Sequence, residues 1–269
     1  MNHSVFRENV MIVTGASAGI GRALSLQLAE QGAWLALGAR DADRLEATAI
    51  ECRQRGGRAL VVKTDVSVEA ECRNLIAQTA AEYGRVETLV NNAGISMFAR
   101  FDELQDLSGF ERMLRVNYLG AVACTFYALP YLKQTRGRLV GVSSLSGKHG
   151  LPTRSGYAAT KHAMAGFFDS LRIELADSGV TVTMIYPGFV ASEIRARAVG
   201  ADGKPLGKST AREGEMMTAE ECARIIIKAS ARRKREEVMT ARGKLGLWGK
   251  LIAPGLVDRM ARKAIEEGK

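Results

Sequence analysis

Short apolar segments and amphipathic stretches alternate along most of the chain. After the first apolar segment, apolar residues recur at helical spacing, at Ile20, Leu24 and Leu28. A short, continuous apolar segment is typical of a strand that is buried on both faces of a parallel sheet. Segments of this kind, or rich in β-branched residues, predict strands at residues 10–13, 33–39, 59–62, 88–90, 137–142, 180–186 and 237–240.

Strand and helix patterns follow one another without a break in composition. This alternation predicts an α/β fold, a single-domain, Rossmann-type, doubly wound parallel sheet with helices on both faces. We expect a dinucleotide-binding and catalytic core at residues 8–190, a substrate lid at 190–217 and a separate C-terminal segment at 240–269. The mixture of glycines and charges at 190–217 is typical of a lid over a ligand site and also of an ordinary surface excursion.

The C-terminal segment combines apolar side chains with lysines and arginines. Its apolar residues are Leu245, Leu247, Trp248, Leu251 and Ile252. Three uses would explain them: a wall of the substrate pocket, a contact between subunits, or contact with a membrane surface. We favour the first two over the third.

A glycine-rich segment, Thr14-Gly-Ala-Ser-Ala-Gly-Ile-Gly21, joins the first strand to the first helix. Glycine lets the backbone approach a pyrophosphate, and the free N–H groups at a helix start attract phosphate. Alone, the segment would favour an ordinary turn. The carboxyl ends of parallel strands share one edge of a sheet, however, so residues at those ends should converge along one crevice. These residues are Gly15, Asp65, Asn91 and Gly94.

The end of the second strand predicts which dinucleotide binds. In dinucleotide folds an acidic residue near this point accepts hydrogen bonds from the adenosine ribose, whereas an arginine accommodates a 2′-phosphate. Ala39 and Arg40 stand here. Because a guanidinium pairs with phosphate through charge-assisted hydrogen bonds, the sequence favours NADP(H) over NAD(H). The alternative is that Asp41 caps the next helix and Arg40 is a surface residue paired with that helix.

The segment Tyr157-Ala-Ala-Thr-Lys161 carries the clearest candidate chemistry. Residues four apart lie one turn apart on a helix, which brings the phenol of Tyr157 beside the ammonium of Lys161. At an effective dielectric of about 20, a charge about 4 Å away favours the phenolate by roughly 4 kcal/mol. The pKa of Tyr157 is therefore predicted to fall toward neutrality. By itself so short a pattern more often marks an exposed helix that carries both residues by chance.

Composition and charge exclude several classes of protein. The net charge is +9, but the basic residues are scattered and form no recognisable motif, so we expect no nucleic-acid partner. The four cysteines and three histidines lack the spacing of a metal site or a disulfide framework, which predicts no metal and a reducing, cytoplasmic location. We also expect no secretion signal and no membrane-spanning helix.

Five stretches together resemble the short-chain dehydrogenase/reductase family, and they cover about residues 10–195. In the family's order and approximate spacing they are the glycine segment 14–21, Asn91-Asn92-Ala93-Gly94, Asn117 within a helix predicted over about 107–132, Ser144 with Tyr157 and Lys161, and Pro187-Gly188. Each is weak evidence alone, but all five in order are highly specific. The apolar C-terminus more loosely resembles hydroxysteroid dehydrogenase-like members.

The resemblance implies a role for each residue of the site. Tyr157 would be the general acid/base, and Lys161 would lower its pKa and hold the nicotinamide ribose. Ser144 would hydrogen-bond the substrate oxygen, and Asn117 would order a water molecule of a proton relay. Ser192, where the family often has threonine, would serve the carboxamide. The expected cofactor-binding residues are Gly15, Ser17, Gly19, Ile20, Gly21, Arg40, Asp65, Val66, Asn91, Ala93, Gly94, Tyr157, Lys161, Pro187, Gly188, Val190 and Ser192.

These observations predict an NADP(H)-dependent oxidoreductase that interconverts a secondary alcohol and a ketone or aldehyde. Hydride transfer leaves charge on the carbonyl oxygen, and donors placed there stabilise the transition state. One alternative is reduction of a carrier-bound 3-oxoacyl thioester. Another is a catalytically silent, nucleotide-sensing regulator, which the intact catalytic residues disfavour. We expect a small-molecule substrate, and a homodimer or homotetramer that pairs the helices at 107–132 and 155–178.

Overall fold

The computed structural model describes residues 4–207 and 216–266. Within these ranges one sheet contains seven strands: β1 Val10–Thr14, β2 Trp34–Ala39, β3 Arg58–Lys63, β4 Thr88–Asn91, β5 Arg138–Val142, β6 Thr181–Tyr186 and β7 Glu236–Val238. Every neighbouring pair is parallel, and the order is β3-β2-β1-β4-β5-β6-β7. The winding direction reverses between β1 and β4, where doubly wound sheets bind their ligands.

Helices cover both faces of this sheet. They are α1 Gly19–Ala29, α2 Ala42–Gln54, α3 Glu69–Tyr83, α4 Ser108–Met113, α5 Gly120–Thr135, α6 Ser155–Glu174, α7 Ala219–Ala231, α8 Ala241–Ile252 and α9 Pro254–Glu266. One core joins the sheet to α1, α2 and α7 and includes Leu24 and Ile226. A second core, on the opposite face, includes Leu75 of α3 and Phe168 of α6. The predicted single α/β domain with a doubly wound parallel sheet is confirmed.

The helix predicted over 107–132 is not uniform. A π-helical stretch, Leu114–Leu119, separates α4 from α5, and it contains Asn117. π-helical turns are rare and occur often at functional sites, because the widened turn re-aims side chains. The predicted strand bounds differ from the observed ones by one or two residues, the largest shift being β7, which ends at Val238 instead of residue 240.

The C-terminal segment forms α8 and α9, and its apolar side chains have different surroundings. Leu247 packs against the core near α5 and α6. By contrast, Leu245, Trp248, Leu251 and Ile252 are between 68% and 83% exposed. These four side chains are therefore not covered by other described residues of the chain. Among the described residues, no helix is both long and apolar enough to cross a bilayer.

All four cysteines are buried free thiols. Each lies on a different helix: Cys52 on α2, Cys72 on α3, Cys124 on α5 and Cys222 on α7. In the described part of the chain, no group of three or more His, Cys, Asp or Glu side chains is placed to hold a metal ion.

Candidate active site

The glycine segment forms a tight turn between β1 and α1, and two of its glycines adopt left-handed backbone conformations. The φ angles are +69° at Gly15 and +52° at Gly19, where a side chain would cause strain. A Cβ atom at Gly21 would lie 2.2 Å from the carbonyl oxygen of Gly15, too close for any side chain. The turn thus requires glycine at these positions for steric reasons.

The turn is joined to the loop after β4 by hydrogen bonds from two residues that the sequence interpretation did not assign to the site. Thr14 Oγ1 accepts hydrogen bonds from the main-chain N–H groups of Asn92 and Ala93, each at 3.0 Å. Asn92 Nδ2 donates to the carbonyl oxygen of Thr14 at 2.9 Å. Both residues lie in the motifs quoted above, beside glycines that were assigned to the site. That position was the sequence signal by which they could have been identified.

The start of α1 fits an anionic group. Its N-terminal cap is Ala18, which has no side-chain hydrogen bond to offer, and the first turn contains no acidic residue. The first N–H groups of a helix have no partner within the helix, and the helix dipole is positive there. Ser17 and Ile20 flank this end, Ser17 half-buried and Ile20 packed against the core. The geometry suits the pyrophosphate of a dinucleotide.

Arg40 lies at the end of β2 with its side chain 56% exposed and its Nη1 3.9 Å from Asp65 Oδ2. Asp41 caps α2, because its carboxylate accepts a hydrogen bond from the N–H of Arg44 at 3.1 Å. Arg44 in turn forms two hydrogen bonds with Glu193, the shorter at 2.5 Å. The cap predicted for Asp41 is thus observed, while Arg40 makes one long ion pair with Asp65 instead of pairing with the helix.

The ends of β3 and β4 form the middle of the crevice. A small depression there is lined by Thr14, Val66, Asn91, Ala93, Val116 and Gly120. Asn91 Nδ2 donates to Thr125 Oγ1 at 3.0 Å, and its Oδ1 is buried with no hydrogen-bond partner in the described structure. Asp65, Val66, Asn91, Ala93 and Gly94 therefore lie along one edge of the sheet, as predicted.

Asn117 is fully buried and ties the π-helical stretch to the loop after β4. Its Oδ1 accepts from the N–H of Ile95 at 2.8 Å, and its Nδ2 donates to the carbonyl oxygen of Ile95 at 2.9 Å and to Thr160 Oγ1 at 3.0 Å. Both amide protons are thus used, whereas Oδ1 keeps one lone pair. A Cβ atom at Gly94 would lie 3.3 Å from that Oδ1. The site therefore has a free acceptor beside Gly94.

Lys161 lies under the crevice on α6 and is only 4% exposed. Its Nζ donates to the carbonyl oxygen of Val142, the last residue of β5, at 2.9 Å. A Cβ atom at Gly94 would be 3.6 Å from Nζ, so Lys161, Asn117 and Gly94 meet at one point. Burial lowers the pKa of the Lys161 ammonium to about 8, because removal from water disfavours the charged form.

Tyr157 is also buried, and the predicted fall in its pKa is not found. Burial raises the pKa of the phenol above its ordinary value, while a hydrogen bond from Ser144 and the charge of Arg154 oppose the rise. Lys161 Nζ lies 5.8 Å from the ring centroid and donates to Val142 instead. Tyr157 and Lys161 do lie four residues apart on α6, but burial raises the pKa of Tyr157 by more than the neighbouring charges lower it.

The segment after β6 closes the crevice from above. Pro187 and Gly188 follow the strand, and a Cβ atom at Gly19 would lie 3.2 Å from Ser192 Cβ, which places Ser192 against the glycine turn. Val190 is buried in the core beside α7. Further along, the N–H of Val199 donates to the carbonyl oxygen of Ser96 at 2.9 Å. The chain after β6 thus spans the crevice from the glycine turn to the loop after β4.

Two buried arginines, one of them near Tyr157, were missed by the sequence interpretation. Arg154 precedes α6 and is 6% exposed, and Arg195 follows Ser192 and is 5% exposed. Neither arginine carries a signal of burial in the sequence, because arginine is normally a surface residue. Their charges lie at the end of the crevice that contains the phenol.

The sequence matches the family model for short chain dehydrogenase over residues 9–202. The chain belongs to this family. It is an oxidoreductase family, and a relative in Dictyostelium discoideum, a dehydrogenase/reductase SDR family protein 7-like, is 33% identical over 266 residues, which cover 97% of this chain and 83% of that protein. The 11-beta-hydroxysteroid dehydrogenase A of Sesamum indicum is 34% identical over 262 residues, covering 94% of this chain and 74% of that one. The resemblance to hydroxysteroid dehydrogenase-like members is thereby confirmed.

Two solved structures are similar to this one. An alcohol dehydrogenase from the archaeon Thermococcus sibiricus, complexed with 5-hydroxy-NADP, is 31% identical, with a TM-score of 0.74 and coverage of 86% of this chain and 95% of that one. A short chain dehydrogenase/reductase from Burkholderia phymatum, in complex with NAD, has a TM-score of 0.83, 22% identity and coverage of 95% and 96%. The second similarity concerns the fold alone.

Proposed function

We propose that this short-chain dehydrogenase is an NADP(H)-dependent enzyme that interconverts a secondary alcohol and a ketone or aldehyde. The observation that carries the proposal is the proximity of Ser144 to the buried phenol of Tyr157, whose pKa the serine side chain lowers. The two residues come from the end of β5 and the first turn of α6, so the fold itself brings them together. An oxygen placed between them would meet a donor and a proton-transfer group.

Each residue has a distinct role in the proposed reaction. When bound, the nicotinamide accepts a hydride from the carbinol carbon in oxidation and supplies it to the carbonyl carbon in reduction. In oxidation Tyr157 takes the hydroxyl proton, and in reduction it returns a proton to the oxygen. Ser144 donates a hydrogen bond to that oxygen and stabilises the charge that develops there. Asn117, through the free lone pair of its Oδ1, would hold a water molecule that passes protons onward.

Lys161 acts on Tyr157 by charge, and its surroundings suit this role. A buried ammonium beside the phenol favours the phenolate more strongly than an exposed one would, because the interior screens charge less than water does. With a pKa of about 8, Lys161 is largely protonated at neutral pH. We propose that it also holds the nicotinamide ribose, since its ammonium has two protons beyond the one given to Val142.

The proposed dinucleotide lies along the crevice with its pyrophosphate at the start of α1. The residues that would hold it are those predicted from the sequence, from Gly15 to Ser192. Preference for NADP(H) rests on Arg40, whose exposed guanidinium makes, among the described residues, a single 3.9 Å contact with Asp65 and is available for a 2′-phosphate. The structure of the Thermococcus sibiricus relative with an NADP derivative supports this choice.

A panel of ketones, aldehydes and alcohols, followed by NADPH absorbance, tests the proposal. We expect turnover of at least one carbonyl with NADPH and a weaker response with NADH. A carrier-bound 3-oxoacyl thioester belongs in the same panel, and preference for it over every free carbonyl would favour that alternative. A protein that binds dinucleotide but turns over none of these compounds would be the silent regulator.

We further infer that residues 190–217 act as a lid and that the chain forms a dimer or tetramer. Residues 208–215 of the predicted lid lie outside the described residues; in the part that is described, residues 190–207, Val199 packs with Tyr157 and Met97 in one apolar cluster, so this part must move for substrate to reach the phenol. Assembly is supported by exposed apolar residues on α5 and α6, with Phe126 69% and Ile173 74% exposed. Light scattering should give two or four times the 29.0 kDa mass of the chain, and a monomer at micromolar concentration would contradict this.

The four free cysteines support a reducing compartment, such as the cytoplasm.

A further inference from the structure

Two buried guanidinium groups, those of Arg154 and Arg195, lie within 6 Å of the ring of Phe189, and neither has a carboxylate partner among the described residues. In the described residues, fifteen ion pairs are formed, and none of them includes Arg154 or Arg195. Arg154 makes one long hydrogen bond, from Nη1 to Ser96 Oγ at 3.4 Å, and its Nε is buried without a partner. Buried charges in proteins are normally paired, so this arrangement needs a reason.

Aromatic rings offset part of the cost of burying these charges. The Arg154 Cζ lies 3.9 Å from the ring centroid of Phe98, and the Arg195 Cζ lies 4.5 Å from that of Phe189. A cation–π contact stabilises a cation by much less than the burial of that cation without a counter-ion costs. The two charges also repel each other, because each lies within 6 Å of the Phe189 ring. The rings hold the arginines but do not replace a counter-ion.

The arginines come from two separate parts of the chain and meet at the ring of Phe189. Arg154 stands one helical turn before Tyr157, with its Cζ 5.8 Å from the ring centroid of the tyrosine. Arg195 belongs to the segment after β6 that closes the crevice. An anion bound between them would therefore contact both a residue at the start of the catalytic helix and a residue of the segment that closes the crevice.

We propose that Arg154 and Arg195 bind an anionic group, a carboxylate or a phosphate, carried by the substrate itself. The enzyme would then act on an oxo acid or a phosphorylated ketone, or on the corresponding hydroxy compound. A guanidinium offers a planar fork of donors that matches both groups, and the pair supplies two such forks. This inference rests on the proposed function, because it names the substrate class of the same site.

Matched substrates with and without the charge test the selectivity. Levulinate is compared with methyl levulinate, and dihydroxyacetone phosphate with dihydroxyacetone, each with saturating NADPH. We expect kcat/KM to be higher for the charged member of one pair, and the pair that shows it distinguishes carboxylate from phosphate. Arg195→Met and Arg154→Met should each lower this charged-to-neutral ratio by about ten- to a hundredfold, and Arg195→Lys should lower it less.

Arg197→Met is the matched control, because Arg197 lies two residues from Arg195 but is exposed and paired with Glu193. This variant should leave the charged-to-neutral ratio unchanged. If Arg154 and Arg195 only hold the lid through their aromatic contacts, their variants will lower kcat/KM for both members of a pair equally. A wild-type enzyme that shows no preference for either charged substrate would also overturn the inference.

Direct binding separates failure of this inference from failure of the proposed function. Calorimetry with benzoate and with inorganic phosphate, on the protein saturated with NADP⁺, should show binding that the Arg154→Met, Arg195→Met double variant loses at least tenfold. Saturation with NADP⁺ keeps these anions away from Arg40. If no carbonyl compound is reduced but this binding is found, the proposed anion site is supported and the proposed reaction is contradicted. If neutral ketones are reduced and neither anion distinguishes the double variant from wild type, the reaction stands and the anion site is wrong.

Discussion

The two ends of the crevice hold their positive charges in opposite ways. At the nucleotide end, Arg40 is more than half exposed, and the turn beside it is built from glycines and neutral hydrogen bonds. At the catalytic end, Lys161, Arg154 and Arg195 are all at most 6% exposed. Water screens the first charge and not the others. The nucleotide end can therefore select between ligands only weakly, whereas the catalytic end is a region where each charge has a large effect on its neighbours.

This contrast orders the expected effects of substitution. Changes at the catalytic end should have large effects on proton transfer or pH dependence, and, except at Lys161, which we propose to hold the ribose, they should have little effect on dinucleotide affinity. Changes at the nucleotide end should alter affinity or packing by smaller amounts and leave the chemical step intact. A substitution at the nucleotide end with a larger effect than one at the catalytic end would contradict this contrast between the two ends.

The largest effect is expected from Tyr157→Phe. Loss of the phenolic proton-transfer group should lower kcat by about 10²- to 10⁴-fold, the range typical of general acid–base catalysis. The dissociation constant for NADP(H), measured by fluorescence titration, should change little, because the hydroxyl acts in proton transfer. Activity within tenfold of wild type would remove Tyr157 from the mechanism.

The next effect concerns stability and follows from the lowered pKa of Lys161. Between its folded pKa of about 8 and its ordinary value of 10.5, the unfolded state binds more protons than the folded state, so stability rises with pH across this window. Below it, burying the charged ammonium costs about 3 kcal/mol. Lys161→Met removes this term. In urea titrations from pH 7 upward, the free energy of unfolding of the variant relative to wild type should fall by up to about 3 kcal/mol between about pH 8 and about pH 10.5.

A pH-independent difference between Lys161→Met and wild type would contradict the burial of a titrating ammonium. The lost hydrogen bond to Val142 adds a constant term, and a constant term does not affect this reading. The quantity to measure is the slope, against pH, of the difference in unfolding free energy between the variant and wild type.

Gly21→Ala tests the packing of the nucleotide end. The added methyl group would lie 2.2 Å from the carbonyl oxygen of Gly15 and 2.6 Å from Asn92 Nδ2, so the turn must shift. Overpacking of this kind costs about 1 to 3 kcal/mol of stability, and we expect weaker dinucleotide binding with it. Gly166→Ala in α6 is the control, since its methyl group would meet open space and should stabilise the helix by about 0.5 to 1 kcal/mol. Equal denaturation midpoints for the two variants would contradict the tight turn.

The smallest effect is expected from Arg40→Ala. One charge-assisted contact to phosphate contributes roughly 1.5 to 3 kcal/mol, so the affinity for NADP(H) should fall by about ten- to a hundredfold, toward the lower figure because the side chain is exposed. Affinity for NAD(H) should stay the same. Adding Ala39→Asp should favour NAD(H) further, since a carboxylate accepts hydrogen bonds from the ribose and repels the phosphate. Equal weakening of both cofactors would make Arg40 an ordinary surface residue.

The sequence predicted the fold well for physical reasons. Strands that are buried on both faces must be apolar, and Val10–Thr14 and Thr88–Asn91 are buried throughout, so their pattern is unmistakable. The π-helical stretch around Asn117 was not predictable, because its apolar spacing is the same as that of an α-helix. The exposure of Trp248 was not predictable either, since an apolar residue on a short amphipathic helix is usually buried.

At the site, the sequence predicted well which residues lie together, because their positions follow from their spacing along the chain. It predicted pKa values poorly, because these depend on how deeply a group is buried. Gly94 stands after a strand, where the sequence indicated a crevice, and it lies beside Asn117 and Lys161, which the family resemblance assigned to the site. The direction of the Tyr157 pKa was wrong, because the burial of the phenol depends on Val199 and its neighbours, which are distant in sequence. The same long-range packing buries Arg154.

The buried thiols provide a built-in measure of local opening. Each of Cys52, Cys72, Cys124 and Cys222 is shielded on a different helix, and burial raises the pKa of Cys52 and of Cys222 to about 12. A thiol reagent can reach them only when the helix concerned separates from the sheet. The labelling rate at each cysteine, resolved by peptide mass spectrometry, would therefore rank the opening free energies of α2, α3, α5 and α7 without any substitution.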